Sequence, residues 1–198
     1  MEKISLKVNE MTVTYGKFKI SNISFELKNG DIMGLVGRSG SGKSTLIKAI
    51  IGIKSSSGKV LTTIDEKKGS LSKILGYAPQ ENALFPFLTL EENLQVFGKL
   101  YKMKKNEILE KSKELLKRLD LEKHKKKRIT ELSGGMQKRA DLAVTLLHSP
   151  QVIVLDEPFN GLDISLQKFI WDFLKELARN GRITIIYANE PAKSYKTN

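Results

Sequence analysis

Gly37-Arg38-Ser39-Gly40-Ser41-Gly42-Lys43-Ser44-Thr45 fits the pattern G-x-x-x-x-G-K-[ST], and the apolar run Ile32-Met33-Gly34-Leu35-Val36 stands directly before it. The run reads as a buried strand, and Thr45 to Ile51 reads as a helix. Strand, glycine-rich turn and helix, in that order, let backbone N–H groups surround the β- and γ-phosphates of a nucleotide, with the positive end of the helix dipole behind them. Glycines suit the turn because a Cβ would block that approach. Lys43 offers a mobile point charge to the phosphate oxygens, and the Ser44 hydroxyl is placed to ligate Mg²⁺.

Two further segments carry chemistry. Val152-Ile153-Val154-Leu155 is a short continuous apolar run that ends in Asp156-Glu157, as expected of a parallel strand buried on both faces. Standing alone, the Asp-Glu-Pro triplet would serve equally as a strand exit into a turn. Leu132-Ser133-Gly134-Gly135-Met136-Gln137 reads as a serine opening a helix, so its free N–H groups and dipole could face another phosphate. A plain capped helix would use the same residues. One chain cannot easily aim two anion-binding helix starts at one γ-phosphate.

Taken in order, these segments resemble the ATP-binding-cassette (ABC) ATPase family, from about Ile4 to about Ile186. The resemblance implies an α/β fold: a P-loop NTPase core with a mainly parallel sheet, an N-terminal antiparallel β subdomain and a helical insert. It implies ATP and Mg²⁺ as ligands, with Gly37, Arg38, Ser39, Gly40, Ser41, Gly42, Lys43, Ser44 and Thr45 holding the nucleotide. Asp156 would hold Mg²⁺ through water beside Ser44, and Glu157 would polarise the attacking water as general base, a role worth about 10²–10⁴ in rate. Gly76-Tyr77-Ala78-Pro79-Gln80 matches the family's Q-loop, in which Gln80 senses the γ-phosphate and Mg²⁺ and the loop after it contacts a membrane partner. Ser133, Gly134 and Gly135 match the family's signature, which closes over ATP held by a second chain in a head-to-tail dimer. Gly161-Leu162-Asp163 matches the D-loop that crosses that interface, and Tyr15 stands where the family stacks a ring on adenine.

The chain also departs from the family's pattern. After the apolar run Ile183 to Ile186, where the family supplies a switch histidine, the sequence reads Tyr187-Ala188-Asn189-Glu190. The two histidines, His124 and His148, lie elsewhere. Asn189 can hydrogen-bond but cannot carry a proton or a charge. The sequence stops at Asn198, short of the family's usual C-terminal segment. The expectation is slow hydrolysis with binding retained, in a chain that is truncated, degenerate or dependent on a partner.

The remaining pattern is that of a single domain over residues 1–198. Ile4-Leu6-Val8 and Ile23-Phe25-Leu27 alternate as antiparallel strands, and Ser55-Ser56-Ser57-Gly58 reads as a loop. A helical subdomain occupies about 85–145. Within it, Thr89 to about Leu121 is helical, with Asn106 as an N-cap, Glu107 and Glu110 in the first turn, and Ile108, Leu115, Leu116 and Leu119 on one stripe. A later helix repeats Phe169, Ile170, Phe173, Leu174 and Leu177 at 3.6 spacing, read as core, and ends at Asn180-Gly181.

No stretch approaches eighteen consecutive apolar residues, and Met1-Glu2-Lys3-Ile4-Ser5 has no signal-peptide core, so a cytoplasmic chain peripheral to a membrane is expected. With no cysteine there are no disulfides and no thiolate chemistry. Net charge is +12, and Lys102 to Arg128 carries twelve basic and five acidic residues, a net of +7. That density suits a solvated helical face first, an anionic membrane surface second and nucleic acid last. The leading functional reading is the ATP-hydrolysing subunit of an ABC transporter, exporter-like, pairing with a second ABC subunit (homo- or heterodimer) and with transmembrane permease subunits. The alternatives are a non-transport ABC ATPase acting on nucleic acid or ribosomes, and a hydrolytically weak cassette in a heterodimer.

Overall fold

A computed structural model describes residues 2–16, 18–38 and 40–188, the side chains of 184–188 excepted. The alternating start forms β1 (Ile4–Tyr15) and β2 (Phe18–Lys28), paired antiparallel. The apolar run before the glycine turn is β3 (Ile32–Val36), and α1 (Lys43–Ile50) follows the turn. Then come β4 (Ser57–Ile64), the short β5 (Lys67–Lys68), α2 (Leu71–Ile74) and β6 (Leu75–Ala78). Two insert helices, α3 (Leu90–Leu100) and α4 (Lys105–Arg118), lead to α5 (Gly134–Leu146), β7 (Val152–Asp156), α6 (Ile164–Arg179) and β8 (Ile183–Ala188).

The strands form two sheets, an antiparallel one in the order β2-β1-β4-β5 and a parallel one in the order β3-β8-β7-β6. The α/β architecture, with an N-terminal antiparallel subdomain and a helical insert, is the expected one. β7 explains how the layers meet. Every one of its residues is buried, and successive side chains point to opposite faces. Val152 and Val154 join Ile4, Leu6, Leu27 and Ile47 between the two sheets. Ile153 and Leu155 join the helical side, with Leu142, Leu146, Ile170 and Leu174. Helix α1 is wedged under the antiparallel sheet, its Leu46, Ala49 and Ile50 against Val8, Met11 and Val13.

Several expectations change. β3 is an edge strand, and Val36 at its end is 60% exposed, so the apolar run is half-buried and not the buried strand expected. Ser57 and Gly58 belong to β4, which returns to pair with β1 (Leu6 opposite Thr62), and only Ser55 and Ser56 remain loop. The single helical stretch from Thr89 splits in two at Tyr101–Lys104, where Lys102 adopts a left-handed φ of 59°. The cap of α4 is Lys104 and not Asn106, because the Glu107 carboxylate accepts the Lys104 N–H at 2.9 Å from inside the first turn. The stripe Ile108, Leu115, Leu116 and Leu119 is buried as expected. On α6, Ile170, Phe173, Leu174 and Leu177 are buried while Phe169 stays 36% exposed, so that ring lies outside the core. Gly181 closes the helix at φ 79° with its N–H on Ala178 O.

Candidate functional site

The site lies where β3, β7 and β6 end together at the carboxyl edge of the parallel sheet, the edge at which open α/β sheets bind ligands. After β3 the turn from Gly37 brings the chain into α1 through Gly42, which serves as N-cap at φ 88° with no side-chain cap. An L side chain there would be strained, and its Cβ would stand 2.5 Å from Phe18 Cε1. Uncapped, the first turn of α1 leaves its backbone N–H donors without intrahelical partners. The turn folds around Lys43, which is 8% exposed. Its Nζ donates to Gly37 O and Arg38 O at 2.6 Å and to Ser41 Oγ at 3.0 Å. Ser39 lies outside the described residues.

Ser44 Oγ donates to Asp156 Oδ1 at 3.2 Å, joining α1 to the end of β7. Burial pushes the Asp156 carboxyl upward, opposed by that hydrogen bond. Glu157, the next residue, leaves the strand at a left-handed φ of 52° and is 5% exposed. Its Oε2 accepts from Gln80 Nε2 at 2.9 Å and from Asn160 Nδ2 at 3.1 Å. A non-glycine residue held at positive φ and gripped by two amides is fixed in place at some conformational cost. Asp156, Ser44, Lys43, Glu157 and Gln80 are thus brought together, and Asn160 joins them unanticipated. Its signal was its place three residues after Glu157, within reach of that carboxylate across a turn.

The set suits a hydrated divalent cation on a phosphate. Mg²⁺ takes one or two carboxylates and fills its other positions with water and phosphate oxygens. Among the described residues no cluster of three or more metal-ligating side chains exists, so Asp156 and Ser44 would hold such an ion only with a phosphate present.

Tyr15, 68% exposed, pairs in register with Phe18, whose ring backs Gly42, so the β1–β2 hairpin carries it beside the glycine turn. Lys54 Nζ sits 4.6 Å from its ring centroid. Ser133 caps α5 as expected, its hydroxyl accepting the Met136 N–H at 3.4 Å, and the serine and Gly134 are exposed. Gly135 packs inward, where a Cβ would meet Leu166 Cδ2 of α6 at 2.5 Å. Asp163 is the N-cap of α6, its Oδ1 accepting from Leu166 N at 3.0 Å. Ser133 and Asp163 thus each turn a side-chain oxygen onto the first turn of their own helix. β8 lies between β3 and β7, with Tyr187 in register with both Leu35 and Asp156, and Asn189, two residues beyond, lies outside the described residues.

A profile of the family described as ABC transporter matches residues 20–160. An ABC transporter G family member from Dictyostelium discoideum is 37% identical over 98% of this chain and 28% of its own length. A Nod factor export ATP-binding protein from Rhizobium sp. (strain N33) is 34% identical over 94% of this chain and 63% of its own length. This chain therefore spans about a quarter to two thirds of these curated relatives. Among solved structures, an ATP-binding cassette of an ABC transporter in its ADP conformation superposes with a TM-score of 0.78 at 25% identity, covering 95% of this chain and 81% of that one.

Proposed function

The chain belongs to the ABC transporter family, and from that premise we propose that it binds ATP on the Gly37–Thr45 turn and hydrolyses it with Glu157 as general base. One observation carries this reading: the Ser44–Asp156 hydrogen bond puts the phosphate-binding helix start beside a carboxylate pair whose second member is held by Gln80 and Asn160. The triphosphate lies along the uncapped start of α1, where backbone N–H groups and the dipole favour negative charge. Lys43, now turned onto loop oxygens, exchanges those partners for the β- and γ-oxygens. Ser44 and, through water, Asp156 would hold Mg²⁺, which would supply charge neutralisation at the phosphates. Gln80 and Asn160 fix the plane of the Glu157 carboxylate, which takes a proton from the attacking water. Tyr15 stacks on the adenine from the neighbouring hairpin.

The start of α5 is exposed at Ser133 and Gly134, which supports its use in trans: Ser133 and Gly135 of one copy close on ATP held by another. The work of hydrolysis passes to transmembrane subunits outside this chain, in which no described helix is long and apolar enough to cross a membrane. The Rhizobium relative's name supports an export direction. Turnover is slow because Asn189 cannot carry the proton that a histidine could, and Asn189→His should raise it more than twofold.

The test is ATP turnover beside nucleotide affinity for the wild type and Glu157→Gln. Hydrolysis should fall about 10²–10⁴-fold with affinity kept. Turnover unchanged by the substitution would remove Glu157 from its role.

A further inference from the structure

Helix α5 does more than present the exposed serine at its start. Three of its side chains, at positions i, i+1 and i+4, reach the loop that follows β6 and carries Gln80. Lys138 Nζ donates to Gln80 O at 2.9 Å. Asn82 Nδ2 donates to Gln137 Oε1 at 3.2 Å. The Asp141 carboxylate faces the backbone N–H of Ala83, which opposes the upward push of burial on that group. Gln137 also donates to Ile129 O and Leu132 O, so the same side chain braces the segment leading into the helix. The loop is thereby held at Gln80 and Asn82 by one helix, while the Gln80 side chain holds Glu157 on its far side.

Asp141 is costly where it stands. It is 3% exposed within Ala140–Leu147, a stretch buried at every position, and a carboxylate in such surroundings loses hydration that one backbone amide only partly replaces. An apolar residue would pack there at less cost. What the carboxylate adds, and an apolar side chain could not, is attraction to the Ala83 amide of the loop.

We propose that Lys138 and Asp141 are positioning residues: they fix the backbone around Gln80, and through its amide they set where the Glu157 carboxylate stands. The proposal rests on Glu157 being the base. Lys138 bonds the loop backbone directly and the Asp141 carboxylate faces it at Ala83, so both act through the loop. A shift of about an ångström at a reacting group can cost on the order of 10²-fold, so loosening the loop reads out in the chemical step and not in ATP binding.

The experiment measures kcat and KM for ATP, and nucleotide Kd, in the full-length assembled protein. Lys138→Met and Asp141→Leu should each lower kcat about 10- to 100-fold with KM and Kd unchanged within twofold. Lys138→Arg and Asp141→Asn, which can still donate to Gln80 O and accept from Ala83 N–H, should recover most of the loss. In a Glu157→Gln background Lys138→Met should have almost no further effect, because there is no base left to place. The proposal is overturned if kcat is untouched by Met and Leu, if kcat falls and Kd rises together without recovery by Arg and Asn, or if Lys138→Met costs as much in the Glu157→Gln background as in the wild type. Full turnover in Glu157→Gln alone would instead overturn the reading of the base on which the proposal stands.

Discussion

Helices α1 and α5 both begin at serine- and glycine-rich turns, yet their first turns are built in opposite ways. At α1 the cap is Gly42 at φ 88°, no side chain closes the turn, and a buried lysine and two carboxylates gather beside it. At α5 the cap is Ser133 in an extended conformation, and its own hydroxyl folds back to accept the Met136 N–H. The first start has no side-chain cap, and a lysine, a serine hydroxyl and two carboxylates stand beside it in the same chain. The second is exposed and satisfies part of its own need. A helix N-terminus favours an anion most where other charged groups join it, and among the described residues Lys43, Asp156 and Glu157 stand at the start of α1.

The largest expected effect lies on the equipped side. Lys43→Ala removes a buried cation that donates to Gly37 O, Arg38 O and Ser41 Oγ, and nucleotide affinity should fall about 10- to 100-fold, in line with 1.5–3 kcal/mol for a charge-assisted bond. Titration of a fluorescent nucleotide checks this. A loss under threefold would break the contrast, since α1 would then be no better equipped than α5.

An intermediate effect compares the charges that the two helices bury. Lys43 is surrounded by acceptors, whereas burial pushes the Asp141 carboxyl on α5 up to about 6, with Lys138 and the Ala83 amide opposing. Tyr77 and Tyr101 face it from β6 and from the end of α3, and its charge contributes to pushing both phenols upward. Because the folded state holds the proton more tightly than the unfolded chain, Asp141 lowers stability as pH rises from about 4 through about 6, and the full cost stands above that. Asp141→Asn removes the cost. The variant should match the wild type near pH 4 and exceed it at pH 8 by up to about 3 kcal/mol, from roughly two pKa units at 1.36 kcal/mol each. Denaturant melts at the two pH values check it, and equal stability of the two proteins at pH 8 would show that the loop compensates the charge fully.

Much of this contrast was legible in the sequence because it rests on local chemistry. The glycine turn, the apolar run into Asp156-Glu157 and the serine before Gly134 each declare themselves within ten residues. What was not legible depends on distant partners. β4 exists because Val60 and Thr62 find Val8 and Leu6 across more than fifty residues, and its alternation alone was too short to stand out. The break at Tyr101–Lys104 has no glycine or proline to announce it, only Lys102 at a φ that lysine rarely adopts. Lys138 and Asp141 reach the loop around Gln80 through contacts the chain order hides, whereas Asn160 stands only three residues from Glu157. Of the two hidden residues, Asp141 alone left a trace, as a carboxylate inside Ala140-Asp141-Leu142-Ala143-Val144.

The smallest effect belongs to the second helix start. Ser133→Ala deletes a side-chain cap, a change that usually costs about 1 kcal/mol. Here the bond is long, at 3.4 Å, and the serine is exposed, so water can take over the Met136 N–H and the loss should sit at or below that figure. Nucleotide affinity of the isolated chain should not change, because the Ser133 hydroxyl serves its own helix and not the turn around Lys43. If it is used in trans, the deficit should instead grow with protein concentration and appear only in turnover, as copies meet. An equal deficit in dilute and concentrated samples, or weaker nucleotide binding by the isolated chain, would mean that α5 serves its own chain's site, and the division between the two helix starts would fail.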